Sequence, residues 1–194
     1  MCIRDSRGID GQLQARGSAP QGGLINLALS VTHATMTRMT TWQEFAAEAP
    51  ELAKTVRVRL KAAKHHVLAT LRLDGSPRVS GTEVAWRGPD LTLGSMPGAR
   101  KALDLRRDPR FALHGNPGDG SMMAPDVKLA GRAVEVTGDE QRAWVAEVKP
   151  PSEDSHLFRL ELTEVTTTGV SADQTHLIIQ HWTPTEGTRV FTRK

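Results

Sequence analysis

The chain has 194 residues, 38% of them hydrophobic and 24% charged, which fits one globular domain with a sizeable core. Its 25 basic and 22 acidic residues leave a formal net charge of +3, mixed along the chain rather than gathered into blocks, and this argues against nucleic acid as a partner. The single cysteine, Cys2, excludes an intrachain disulfide, and no apolar run reaches the roughly 18 to 20 residues of a membrane span, so a reducing, cytoplasmic setting is expected.

Residues 1–38 are rich in Gly, Ala, Arg, Ser and Gln without a sustained period. They are expected to form a leader outside the fold, with the native start at Met36 or Met39 and the folded domain over 39–194. Thr41 and Glu44 have capping-box spacing, and Pro50 suits a second helix start. Leu52, Val56, Leu60 and Ala63 then recur at helical steps, which predicts one helix or two short ones over Trp42 to Ala63. Alternation from Val67 to Leu73, a turn at Asp74-Gly75-Ser76-Pro77 and a return from Arg78 to Trp86 predict a β-hairpin.

A turn over Arg87 to Asp90 leads to a third strand at Leu91 to Ser95, a basic helix from Pro97 to Arg107, and a fourth strand at Arg110 to His114. Gly115 to Pro125 reads as a loop and Val127 to Thr137 as a strand, after which Thr137 and Glu140 repeat the capping-box spacing for a helix to Val148. Two long strands, Leu157 to Val170 and His176 to Trp182, precede an edge strand at Thr188 to Thr192. A helical start followed by strands with only two further short helices suits a small barrel better than a parallel βαβ sheet.

The stretch most informative about chemistry runs from Gly94 to Arg110, where a strand ends in small residues and passes into a helix carrying Arg100 and Lys101 in its first turn. Amides at a helix start have no intrahelical acceptor, and a guanidinium fork beside an ammonium neutralises a phosphate dianion. The histidines His65, His66, His114, His176 and His181 form no His-x-x-x-His pair, so no metal site is expected.

Asp74 to Glu83 resembles the second strand of the pyridoxamine 5′-phosphate oxidase-like superfamily, in which an arginine opens the cofactor-binding strand. Arg78, Ser95, Arg100, Lys101, Asp108 and Pro109 reproduce the superfamily's order of Arg-led strand, strand end, basic pair and helix closing before Asp-Pro. The resemblance covers most of Ala62 to Val136 and, more loosely, the C-terminal strands. It implies a mainly β fold, a split β-barrel of the FMN-binding type with six or seven antiparallel strands. It also implies a twofold homodimer that holds the cofactor at an interface built from parts of the second and third strands.

Carried over residue by residue, the resemblance gives Arg78, Arg100 and Lys101 to the cofactor phosphate. It gives Val79, Ser80, Gly81 and Thr82 to the ring and ribityl chain, and Gly94 and Ser95 to the pocket wall. Trp182 resembles a late aromatic that packs near the isoalloxazine. The implied activity is an oxidoreductase that transfers a hydride through its cofactor to or from a small molecule, with no catalytic side chain assigned. FMN is the cofactor expected first. The wording of His66 to Arg72 and of Arg100 to Arg110 is similar to actinobacterial members that use the deazaflavin coenzyme F-420, which is the alternative. A non-catalytic flavin- or haem-binding barrel, with His65, His66 or His114 as haem ligand, is the competing function. Two departures stand out: Glu83 occupies the place of a lysine in oxidases acting on pyridoxamine phosphate, and Asp126 that of a flavin-contacting glutamine.

Overall fold

This computed structural model describes residues 38–118, 122 and 124–194. Apart from Arg38, the expected leader lies outside the described residues, as does part of the Gly115 to Pro125 loop. Two helices open the described fold, α1 (Trp42–Glu48) and α2 (Pro50–Lys61). The capping box forms as expected: the Glu44 amide donates to Thr41 Oγ1 at 3.2 Å, and the Thr41 amide donates to the Glu44 carboxylate at 2.8 Å. Pro50 begins α2 without loss, because an amide in the first turn has no intrahelical acceptor. Leu52, Val56 and Leu60 then share one buried face, and with Trp42 and Phe45 of α1 they pack onto the sheet.

The sheet contains nine strands: β1 (His66–Leu71), β2 (Pro77–Thr82), β3 (Ala85–Arg87), β4 (Asp90–Ser95), β5 (Arg110–His114), β6 (Asp126–Val136), β7 (His156–Val170), β8 (Leu177–Thr183) and β9 (Gly187–Arg193). Two further helices, α3 (Arg100–Arg107) and α4 (Gly138–Val148), punctuate them. All pairings are antiparallel, in the order β2-β1-β5-β6-β7-β4-β3, with β8 joined to β7 and β9 to β8. The length of β7 lets one of its edges serve two partners, β4 at His156 to Arg159 and β8 at Val165 to Val170. Thr40 bridges the gap between them through paired bonds of 3.0 and 2.7 Å to Leu162. This curled antiparallel sheet with short peripheral helices is the expected split-barrel class. Among the described residues no helix is long and apolar enough to cross a membrane.

The structure corrects four expectations. The strand from Arg78 to Trp86 is two strands: β1 begins at His66, so β2 runs out of partner at Thr82, and the chain resumes as β3 against β4. That division turns the eight strands read in chain order into nine, against the six or seven that the resemblance implies. The helix expected from Pro97 begins at Arg100, because Gly98 takes φ 68° in a turn in which the Ala99 amide donates to the Met96 carbonyl. Thr137 is the N-cap of α4 but makes no side-chain cap bond. The next residue, Gly138, has φ 68°, which carries the backbone away from helical geometry just where the hydroxyl would have to reach.

Candidate functional site

Two adjoining cavities collect the residues expected at the site. The first, about 490 Å³, lies where the ends of β2 and β4 meet α3 and α4 and is lined by Gly81, Thr82, Glu83, Gly94, Ser95 and Lys101. Its apolar walls come from Trp86 of β3 and Trp144 of α4. Trp144 can close in because Gly94 has no side chain: a Cβ there would stand 3.2 Å from Trp144 Cζ2. Ser95 is buried, and its hydroxyl has no hydrogen-bond partner among the described residues. Trp86 is held from behind by Arg57, whose guanidinium carbon lies 4.9 Å from the ring centroid.

The second cavity, about 550 Å³, is a groove lined by four arginines, Arg72, Arg78, Arg100 and Arg107, together with Asp74 and Asp104. Both aspartates are already engaged. Asp74 accepts from the amide and hydroxyl of Ser76 in the hairpin turn. Asp104, buried on α3, accepts from Arg78 Nε at 2.6 Å, Thr70 Oγ1 at 3.0 Å and Arg107 Nη2 at 3.3 Å. Burial alone would push its carboxyl up, but the three donors outweigh that and hold it below the usual carboxylate range, so it is an anion. Arg100 has no hydrogen bond or ion pair among the described residues, so the groove keeps a free guanidinium at the start of α3.

Strand β2 joins the two cavities. Its even-numbered side chains, Arg78, Ser80 and Thr82, are partly or fully covered, while Val79 is 70% exposed on the opposite face. Lys101 projects from α3 onto the Gly81 carbonyl at 2.7 Å; burial lowers its ammonium pKa, and Glu83 partly opposes that. Glu83 itself sits at the rim, 3.4 Å from Lys64 Nζ and 3.3 Å from His65 Nε2.

The structure thus brings Arg78 and Arg100 together in the arginine groove and Gly81, Thr82, Gly94, Ser95 and Lys101 together in the neighbouring cavity. Val79 and Ser80 lie between on β2 and line neither. Trp182 also lines neither: it is fully buried in the core, 4.7 Å from the Phe45 ring centroid. Asp126 lies at the start of β6, 4.0 Å from His114 Nε2, away from both cavities. Of the histidines proposed for haem, only His65 lines the first cavity. His66 is buried, with Nδ1 accepting from the Asn116 amide at 3.2 Å. Among the described residues no three His, Cys, Asp or Glu side chains cluster as a metal site would require.

Sequence reasoning missed Trp86, Trp144 and Asp104. The two tryptophans carry no local signal, since a core and a ligand wall ask for the same residue. Asp104 looks like an ordinary charge on a basic helix until the sheet delivers Thr70 and Arg78 from 34 and 26 residues away.

A split barrel with a basic groove opening beside an apolar cavity is the class that the fold and the site define. The chain belongs to the pyridoxamine 5′-phosphate oxidase family: the family described as Pyridoxamine 5′-phosphate oxidase matches residues 52–169, more than half the sequence. Comparison with curated proteins gives no match. Among solved structures, PhzG from Burkholderia lata 383, in complex with tetrahydrophenazine-1-carboxylic acid, superposes with a TM-score of 0.55 at 14% identity, covering 75% of this chain and 89% of PhzG. A pyridoxamine 5′-phosphate oxidase-related, FMN-binding protein from Nostoc punctiforme PCC 73102 gives 0.53 at 10% identity, covering 77% and 97%. At these identities the likeness is one of fold.

Proposed function

We propose that the protein binds a flavin-type cofactor, FMN first and the deazaflavin coenzyme F-420 as the alternative. Its phosphate would lie in the arginine groove and its ring in the adjoining cavity, at the interface of a cytoplasmic homodimer. One observation carries this reading: four arginines, among them Arg78 and the unpaired Arg100, line a groove that shares strand β2 with a cavity walled by two tryptophans. The donor set fits the group. Arg100 has donors to spare and Arg78 uses only Nε internally, so together they match a phosphate dianion. When bound, the cofactor supplies hydride transfer for an oxidoreductase acting on a small molecule.

The chain's own part is to bind, orient and exclude water. Gly81 and Gly94 leave backbone room beside the ring position, and Lys101 secures the end of β2 through the Gly81 carbonyl. Trp86 and Trp144 keep the cavity apolar. Glu83 at the rim disfavours a phosphorylated substrate, which separates this chain from enzymes acting on pyridoxamine phosphate.

Purified protein should carry or take up FMN or the deazaflavin, read as visible absorbance and by mass analysis of the released compound. Arg100→Ala combined with Lys101→Ala should release it, and size-exclusion chromatography should give a dimer. A double variant that keeps its cofactor at full occupancy would overturn the assignment of the groove.

A further inference from the structure

Asp104 is the only buried carboxylate among the described residues, 4% exposed. A buried anion persists only where donors surround it, and here the donors come from three elements: Thr70 on β1, Arg78 on β2 and Arg107 on α3 itself. The bond to Arg78 is made at Nε, the nitrogen nearest the side-chain stem. A guanidinium is planar and rigid, so holding Nε fixes the plane in which the two terminal nitrogens lie. Those terminal nitrogens make no other hydrogen bond among the described residues, and Arg78 lines the same groove as the unpaired Arg100.

We propose that Asp104 is a positioning residue that orients the Arg78 guanidinium as one jaw of an anion clamp, with Arg100 as the other. The inference rests on the cofactor reading above and adds to it the device that sets the geometry of the phosphate grip. Two effects of Asp104 oppose each other. Its negative charge repels a phosphate whether or not Arg78 is present, whereas its orienting effect acts only through Arg78. Orientation prevails, because the carboxylate charge is already shared among three donors while an unrestrained arginine loses the entropy of its long stem on binding. The opposed dependence on Arg78 makes the two separable by a double-mutant cycle.

The experiment compares the natural chain with Asp104→Asn, Arg78→Ala and the double variant, using FMN and riboflavin, which differ only in the phosphate, and reading dissociation constants by flavin fluorescence. Asp104→Asn should lower the preference for FMN over riboflavin about tenfold, and should lower it no further once Arg78 is alanine. An unchanged or increased preference in Asp104→Asn overturns the proposal, as does an equal loss in both backgrounds. Unaltered riboflavin affinity reports an intact fold. Should Asp104→Asn fail to fold, Thr70→Val, which frees the carboxylate from one side, must shift the preference in the same direction by a smaller factor, and no shift overturns the proposal. If the natural chain binds neither flavin, the FMN assignment falls by itself. The same cycle run with inorganic phosphate and read by titration calorimetry then decides the role of Asp104: phosphate binding weakened by Asp104→Asn only while Arg78 is present supports it, and unchanged or tighter binding, or an equal loss in both backgrounds, overturns it.

Discussion

Replacing Trp182 with phenylalanine is expected to leave stability close to that of the natural chain, whereas alanine at this position removes a large part of it. The side chain is wholly buried and packs on Phe45, so truncation to alanine opens a cavity in the main core and should cost about 3–5 kcal/mol. Phenylalanine loses only roughly 40 Å² of buried apolar surface, worth about 1 kcal/mol. It also removes the indole N–H, which is buried without a partner among the described residues, and relief of such a donor returns about 1–3 kcal/mol. The two terms nearly cancel, so Trp182→Phe should fall within about 1 kcal/mol of the natural chain. Urea unfolding monitored by circular dichroism measures both variants, with an unchanged m-value as the check that the unfolding reaction is the same. Since Trp182 lines neither cavity, Trp182→Phe should also leave FMN affinity unaltered. A phenylalanine variant as unstable as alanine would show that the indole N–H is satisfied, and a large loss of FMN affinity at unchanged stability would restore the ring contact that the family resemblance implies.

Gly131→Ala should be severely destabilising, by about 3 kcal/mol or more in the same assay, because its Cβ would overlap the Glu161 carbonyl oxygen and lie 2.9 Å from that carbonyl carbon at the bulge between β6 and β7. His66 is buried, and desolvation lowers its pKa against the opposing bond to the Leu60 carbonyl. The unfolded chain therefore binds this proton more readily than the folded one. Its contribution is intact above pH of about 6.5 and is lost as pH falls below that value, so His66→Gln should flatten this part of the stability profile. Gly94→Val should crowd Trp144, costing about 1–3 kcal/mol, and should weaken FMN binding by about tenfold or more by filling the cavity wall; unchanged binding would place the ring elsewhere.

Much of the frame was legible locally. The capping box at Thr41 and the four-residue steps of Leu52, Val56 and Leu60 located the helical start, and the Asp74 to Pro77 turn located the first hairpin, because each is decided within a few residues. The resemblance carried by Arg78, Ser95, Arg100 and Lys101 pointed to the right family. What stayed hidden depends on distant chain. Nothing in Arg78 to Trp86 says that β1 begins too late to pair with all of it, and nothing around Asp104 announces Thr70 and Arg78 as its partners. Trp182 misled for the same reason: its environment is supplied by Phe45, at the other end of the described fold.

Strand β2 imposes a parity on the ligand. Because successive side chains leave a pleated strand on opposite sides, Arg78 and Thr82 share a side only while an odd number of residues separates them. A family member lengthened by one residue would present its arginine to the wrong side, so the distance between the anion grip and the ring end can change only in paired increments of about 6.6 Å. Cofactors of intermediate reach therefore have to be met by the long side chain of Arg100, since the helix that carries it is pinned to β1 and β2 through Asp104.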